Sequence, residues 1–304
     1  MTGVLSKFRA LQGREKRLIL YLLIVAAVAA WKFIPRPWNP TITIETEHYA
    51  IFSTATKPQT EDIALTVEQL YVAYASQFSS LPGFTRDHPK LKMKLYKNRD
   101  EMRRVNPGLG WAEAFYRQPY CQAYYSAAEI NSYHWMAHEA VHQLNTEVAH
   151  IDPVKWLEEG LAEYFSTSRF TRGRLAVGQI DPNTYPVWWI GTMATTPDLA
   201  ANIENGSVIP LRAIISGSGG PSLRRQFNRY YLHWWTLTHF IFETPKYRDG
   251  AFALVKDGGG VDAFERHIGP IERVQAEWHA HVHSIKADLA APAKRPRLTN
   301  KATP

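Results

Sequence analysis

Cysteine is almost missing: Cys121 is the only one in 304 residues. With no second thiol there is no internal disulfide, so the fold must rest on a packed core. Cys121 has no partner motif that would make it a nucleophile. A long hydrophobic run is also missing. The longest unbroken one, residues 18–31, has 14 residues, short of the roughly 17 to 20 that cross a bilayer as a helix. The glycine-rich stretch 216–221 lacks the lysine and spacing of a phosphate-binding loop, which leaves a linker.

Charge is sparse where it would matter for nucleic acid. The formal net charge is +7, but it sits at the ends. The first 17 residues hold Lys7, Arg9, Arg14, Lys16 and Arg17 against Glu15, and Lys294, Arg295, Arg297 and Lys301 follow Asp288. The body between them is left at about −1, which excludes a basic nucleic-acid platform. No nucleic-acid partner is expected.

Other features are abundant. The chain is 45% hydrophobic with 10 tryptophans and 15 tyrosines, enough for one large core rich in aromatic rings. Residues 1–17 read as a basic cytoplasmic tail. Residues 18–34 read as a single-pass anchor, with Lys32 snorkelling and Trp31 and Trp38 at the interface. The positive-inside rule then places everything after it across the membrane. A cleaved signal peptide is the competing reading, since Ala27-Val28-Ala29 resembles a cleavage site, and a buried core helix is a third. Residues 35–40 carry Pro35, Pro37 and Pro40 and form a stiff linker. Residues 41–288 form the folded domain, and 289–304 a basic disordered tail.

The chemistry gathers in two stretches. His138-Glu139-Ala140-Val141-His142 reads H-E-x-x-H. On a helix, residues four apart share a face, so His138 and His142 can hold one metal ion with Glu139 beside them. Asn131 or Ser132 is the expected N-cap. A catalytic zinc takes three protein ligands. A third is available in Trp156-Leu157-Glu158-Glu159-Gly160-Leu161-Ala162-Glu163-Tyr164-Phe165, where Glu159 precedes the glycine and Glu158 competes with it. His134 lies one turn before His138, but three histidines in a straight row over about 12 Å cannot converge on one ion.

These two stretches resemble the gluzincin metallopeptidases, and more closely a bacterial family of peptidase-MA-like domains of unknown function. The likeness covers roughly residues 48–283, with strong motifs only in the middle. It implies zinc bound by His138, His142 and Glu159, Glu139 as general base, and Glu163 as the acid that orients a ligand histidine. It further implies an oxyanion-binding tyrosine on the aromatic helix over 223–242: Tyr231, with Tyr230 as alternate. It also implies an edge strand that holds extended substrate, for which 121–125 is the candidate, an internal strand without substrate contact being the equal alternative. One departure stands out. Sixteen residues separate His142 from Glu159, slightly fewer than in the better-known branches.

Periodicity supplies the rest. Strands are expected within 41–53, over 90–97 and over 115–125, and a strand or hairpin over 173–179. Helices are expected over 60–78, 98–104, 223–242, 252–255, 261–268 and 271–285. Residues 185–193, with Trp188-Trp189, read as core in preference to cleft wall, and His279, His281 and His283 as a solvent-facing helix end in preference to a second metal site. The expected fold is α+β: a zincin-like domain with a small mixed sheet, a two-helix zinc site and a helical C-terminal part. The expected function is that of a zinc-dependent metallopeptidase acting on a peptide or protein substrate. It would be anchored in the bacterial inner membrane with its catalytic domain in the periplasm. The alternative is a catalytically idle, zinc-stabilised binding or scaffold module of the cell envelope.

Overall fold

The computed structural model describes residues 13–33, 37–109, 112–171, 173–193 and 195–290. The basic tail after residue 290 and most of the first 17 residues lie outside them. The first described helix, α1, is Gly13–Phe33. Its apolar side chains from Leu18 to Val28 are largely exposed. No helix among the described residues is long and apolar enough to cross a membrane, and Ile34, which the expected anchor needs, is not among them.

Alternation of apolar residues builds a five-stranded sheet. In order across the sheet its strands are β1 (Ile42–Glu45), β2 (Tyr49–Ser53), β3 (Leu91–Tyr96), β5 (Tyr120–Tyr124) and β4 (Ala114–Arg117). β2, β3 and β5 run parallel, and the two outer strands are antiparallel to their neighbours. Ile51, Met93 and Cys121 fall in one register row, and all three are fully buried. Helix α2 (Lys57–Phe78) connects β2 to β3, as a parallel pair requires. It begins three residues before the expected start, because Thr56 and Gln59 form a capping box and Pro58 suits the first turn. A short helix, α3 (Arg99–Val105), follows β3. The architecture is mixed α+β.

The 115–125 segment is not one strand. A turn at Gln118-Pro119 folds it into the β4–β5 hairpin. Proline fixes φ and lacks an N–H, so it suits a turn and not a strand interior. The sheet edge is therefore β4, and the expected edge at 121–125 is an inner strand paired on both sides. Cys121 is buried against the sulfur of Met136 at 3.4 Å, and burial pushes its thiol pKa up.

The two motif stretches form α4 (His134–Glu147) and α5 (Lys155–Ser166). Helix α4 packs on β4, β5, α2 and α5. It starts without a side-chain cap: the Asn131 amide bonds Asp181 at 3.4 Å and the Ser132 hydroxyl bonds Asp62 at 3.4 Å. The hairpin β6 (Ser168–Thr171) and β7 (Arg174–Ile180) follows α5. Then come α6 (Leu199–Glu204), α7 (Leu211–Ser216), α8 (Phe227–Glu243), α9 (Pro245–Lys256), α10 (Val261–His267) and α11 (Ile271–Ala290). Helix α8 is buried over most of its length and lies against α5.

Gly160 sets the α5–α8 distance. A Cβ there would lie 2.2 Å from Thr238 Oγ1 and 3.0 Å from the Trp234 carbonyl oxygen. The glycine next to Glu159 is thus a packing requirement. Gly160→Ala should cost about 1–3 kcal/mol, the usual range for overpacking. Thermal unfolding checks this, with part of the loss restored by adding Thr238→Ala. An unchanged Tm for Gly160→Ala would remove this account of the helix contact.

Helix α11 corrects another expectation. Trp278 and His279 are buried, so its histidines do not mark a solvent-facing end. Nor do they converge. His279 meets the Asn202 amide at 2.9 Å, His281 meets His239 at 3.1 Å, and His283 meets the Thr196 carbonyl oxygen at 2.9 Å. Among the described residues they form no metal cluster.

Candidate metal centre

Four residues of α4 bring His138 and His142 round to one face, and α5 lays Glu159 across it. The His138 and His142 Nε2 atoms are 3.2 Å apart. Glu159 Oε2 is 3.3 Å from the first and 3.7 Å from the second. Bonds of about 2.0–2.1 Å in a tetrahedral set place donor atoms about 3.3–3.4 Å apart. The triangle therefore has the size that one ion needs. Glu159 is buried, and its Oε2 has no hydrogen-bond partner. An orphaned buried carboxylate oxygen is costly unless a cation meets it. These three residues could hold a metal ion.

The outer contacts sort the competing acids. Glu158 Oε1 approaches the other ring nitrogen of His142, Nδ1, at 3.7 Å, outside the triangle. Glu163, fully buried, lies with Oε1 at 3.2 Å from His138 Nδ1. That contact is close enough for charge attraction but poorly aligned for a hydrogen bond. His134 is turned away, with its Nδ1 3.3 Å from the Ser166 carbonyl oxygen. Burial and the neighbouring His138 push its pKa down to about 3. The straight row of three histidines does not form.

Electrostatics agree with a cation site. Burial opposes a charged His138, yet the carboxylates of Glu163 and Glu159 outweigh it and hold its pKa well above the ordinary histidine range. Burial pushes the Glu159 carboxyl up, but the neighbouring His138 and His142 hold it well below the usual range. Burial raises Glu163, against the pull of His138. Proton charge on His138 here offsets the buried carboxylates beside it, a role that a dication would take over.

A cleft reaches the triangle at His138. Its lining includes His138, Glu139, Glu163, Tyr185 and Tyr231, with Ala112 and Ala114 on the side of β4. Glu139 is half-buried there. Tyr231 is also half-buried, and its pKa is raised by burial and then by the charge of Glu159 and Glu163. It therefore stays a neutral phenol with a proton to donate. Tyr230, the alternate, faces elsewhere: its hydroxyl donates to the Pro221 carbonyl oxygen at 2.8 Å. One wall is aromatic, with ring centroids 5.5 Å apart for Trp135–Tyr185 and for Tyr185–Tyr231, and 4.4 Å apart for Phe227–Tyr231. Trp188 and Trp189 are 45% and 40% exposed, so the expectation of a core position fails. Trp188 leans on Tyr185 and Trp135 at the cleft's aromatic side.

Sequence reasoning missed one neighbour. Lys155, one turn before Glu159, donates to Glu159 Oε1 and so leaves Oε2 for the triangle. The i, i+4 spacing could have revealed it. Tyr185, the first residue of the segment expected as core or cleft wall, comes from the loop before a 3₁₀ turn (Val187–Thr192) and lines the cleft. Residues 133–255, from the start of α4 to the end of α9, match the model of a family described as Protein of unknown function (DUF1570). No curated protein matches the chain.

Proposed function

We propose that this protein is a zinc-dependent metallopeptidase with a zincin-like catalytic domain. The reading rests on one observation: a metal-sized triangle of His138, His142 and Glu159 borders, through His138, a cleft that also holds Glu139 and Tyr231. Two imidazoles and one carboxylate are the donor set that catalytic zinc uses, with a position left open. A zinc ion held there supplies Lewis acidity, polarising a carbonyl and acidifying water. Glu139 accepts the proton of the attacking water and passes it to the leaving amine. Glu163 fixes the ring of His138 through Nδ1, so that Nε2 faces the triangle. Lys155 holds one oxygen of Glu159 and lets it present the other. Tyr231 donates a hydrogen bond to the oxyanion, a contribution of about 3 kcal/mol for one such donor.

The protein purified with zinc is expected to cleave members of a quenched peptide library, to lose that activity with a chelator, and to regain it with added zinc. Full activity in chelator, or no cleavage at full zinc load, would remove the peptidase reading. The second outcome would favour the idle zinc-stabilised module.

Membrane attachment through α1 is part of the same proposal. The exposed apolar side chains of Leu18 to Val28 support it, and the basic residues before them favour a cytoplasmic amino terminus with the domain in the periplasm. A reporter active only outside the cytoplasm, fused after Pro40, should give signal, and the mature chain should keep Met1. A mature terminus at Ala30 or Trp31 would show a cleaved signal instead.

A further inference from the structure

Phe227 has a second cavity on it besides the cleft. The first turn of α8, the residues just before it and the 3₁₀ turn that carries Trp189 enclose a space of about 310 Å3. Phe227 lines this space and the cleft alike. Asn228, which lines the cavity, accepts a hydrogen bond at 3.1 Å from the hydroxyl of Tyr185, which lines the cleft. One aromatic ring and one hydrogen bond thus belong to a wall that the two spaces share.

The cavity differs from the cleft in charge. Arg224, Arg225 and Arg229 line it, and no acid does. The first turn of α8 carries no acid either. Arg229 is half-buried and anchored, since its guanidinium donates to the Gly206 carbonyl oxygen. Arg224 and Arg225 are exposed, and neither has an ion-pair partner among the described residues. The body of the chain is close to neutral, so three positive charges around one cavity are a local excess. A guanidinium binds a carboxylate through two parallel hydrogen bonds, and the pair is stronger in a partly enclosed space than on open surface.

We infer that this cavity binds an acidic side chain of the substrate, with Arg224 and Arg225 on its carboxylate and Trp189 and Phe227 along its methylene groups. An extended peptide advances about 3.4 Å per residue, so two or three residues carry it from the cleft past one ring. The inference rests on the peptidase reading and names its substrate class: peptides with Glu or Asp two or three residues from the bond that is cut. The wall shared with the cleft points to a peptide and not to an anionic lipid headgroup.

The test pairs cleavage with binding. Quenched peptides that differ only by Glu or Gln, placed in turn at each position up to four residues on either side of the cut bond, are compared on the full zinc-loaded chain. Labelled versions are titrated against the zinc-loaded Glu139→Gln chain and read by fluorescence anisotropy. The expected result is a kcat/KM at least 10-fold higher for Glu than for Gln at one position, carried mainly by KM, with a matching preference in binding. The double variant Arg224→Gln, Arg225→Gln should bring both ratios close to one at unchanged zinc content, and the double lysine variant should retain part of each. Arg229 stays in place because it also ties Gly206. Equal cleavage of Glu and Gln peptides at every position, or a preference that survives the double variant, would overturn the inference and leave the peptidase reading intact. Arginine-dependent binding to vesicles containing anionic lipid, with Glu and Gln peptides equal, would overturn it in favour of a membrane contact. If no peptide is cleaved, the peptidase reading fails and the titration decides the cavity. Arginine-dependent preference for the Glu peptide supports it, and equal or absent binding overturns it.

Discussion

Glu139→Gln is expected to slow peptide cleavage by roughly 10²–10⁴-fold, the contribution usual for a positioned general base. The amide keeps the shape of the carboxylate but cannot accept a proton from water. Glu139 lines the cleft beside the triangle without belonging to it, so zinc content should stay at about one per chain. The loss should fall on kcat and on kcat/KM alike, because a proton acceptor acts in the transition state and adds little to substrate binding. Steady-state kinetics with elemental analysis measures both. Wild-type rates in Glu139→Gln would take the base assignment away, whatever the metal content.

Removing a ligand should do something different. His138→Ala, His142→Ala or Glu159→Ala each leaves two donors, and bound zinc should drop from about one per chain to near zero at micromolar metal. Activity should vanish with it. The wild type should also melt at a higher temperature with zinc than after chelation, since a ligand that binds only the folded state stabilises it by mass action. The ligand variants should lose that difference. Glu163→Ala sits between the two cases. It leaves the three donors but frees the His138 ring, so zinc affinity should fall about 10–100-fold, as for other residues that orient a ligand histidine. Competition with a chromogenic chelator reads this directly. Full zinc retention in Glu159→Ala would transfer the third position to another acid, with Glu158, 3.7 Å from the wrong nitrogen of His142, the first to try.

How much of this was legible follows from which interactions are local. Spacing of four on a helix is a local property, so His138, Glu139 and His142 could be read as one face without any fold. The choice of Glu159 over Glu158 came from its place before a glycine, and the reason for that glycine is tertiary: Thr238 and the Trp234 carbonyl occupy the space a side chain would need. The strands around Ile51 and Met93 announced themselves by alternation. The break at Gln118-Pro119 was hidden inside an aromatic run, and it moved the sheet edge from β5 to β4.

By itself, then, the sequence determined the two motif helices, the α+β class, the neutral body between basic ends and the absence of a disulfide framework. Each of these follows from residue identity and short-range periodicity. Tertiary structure alone decided the rest. It turned Tyr231 toward the triangle and Tyr230 away from it, although the two are neighbours on one helix, because residues one apart point about 100° from each other. It exposed Trp188 and buried His279, since burial depends on which elements pack against a helix and not on its composition. It also placed Lys155 and a glycine loop some sixty residues along the chain on the walls of one cavity.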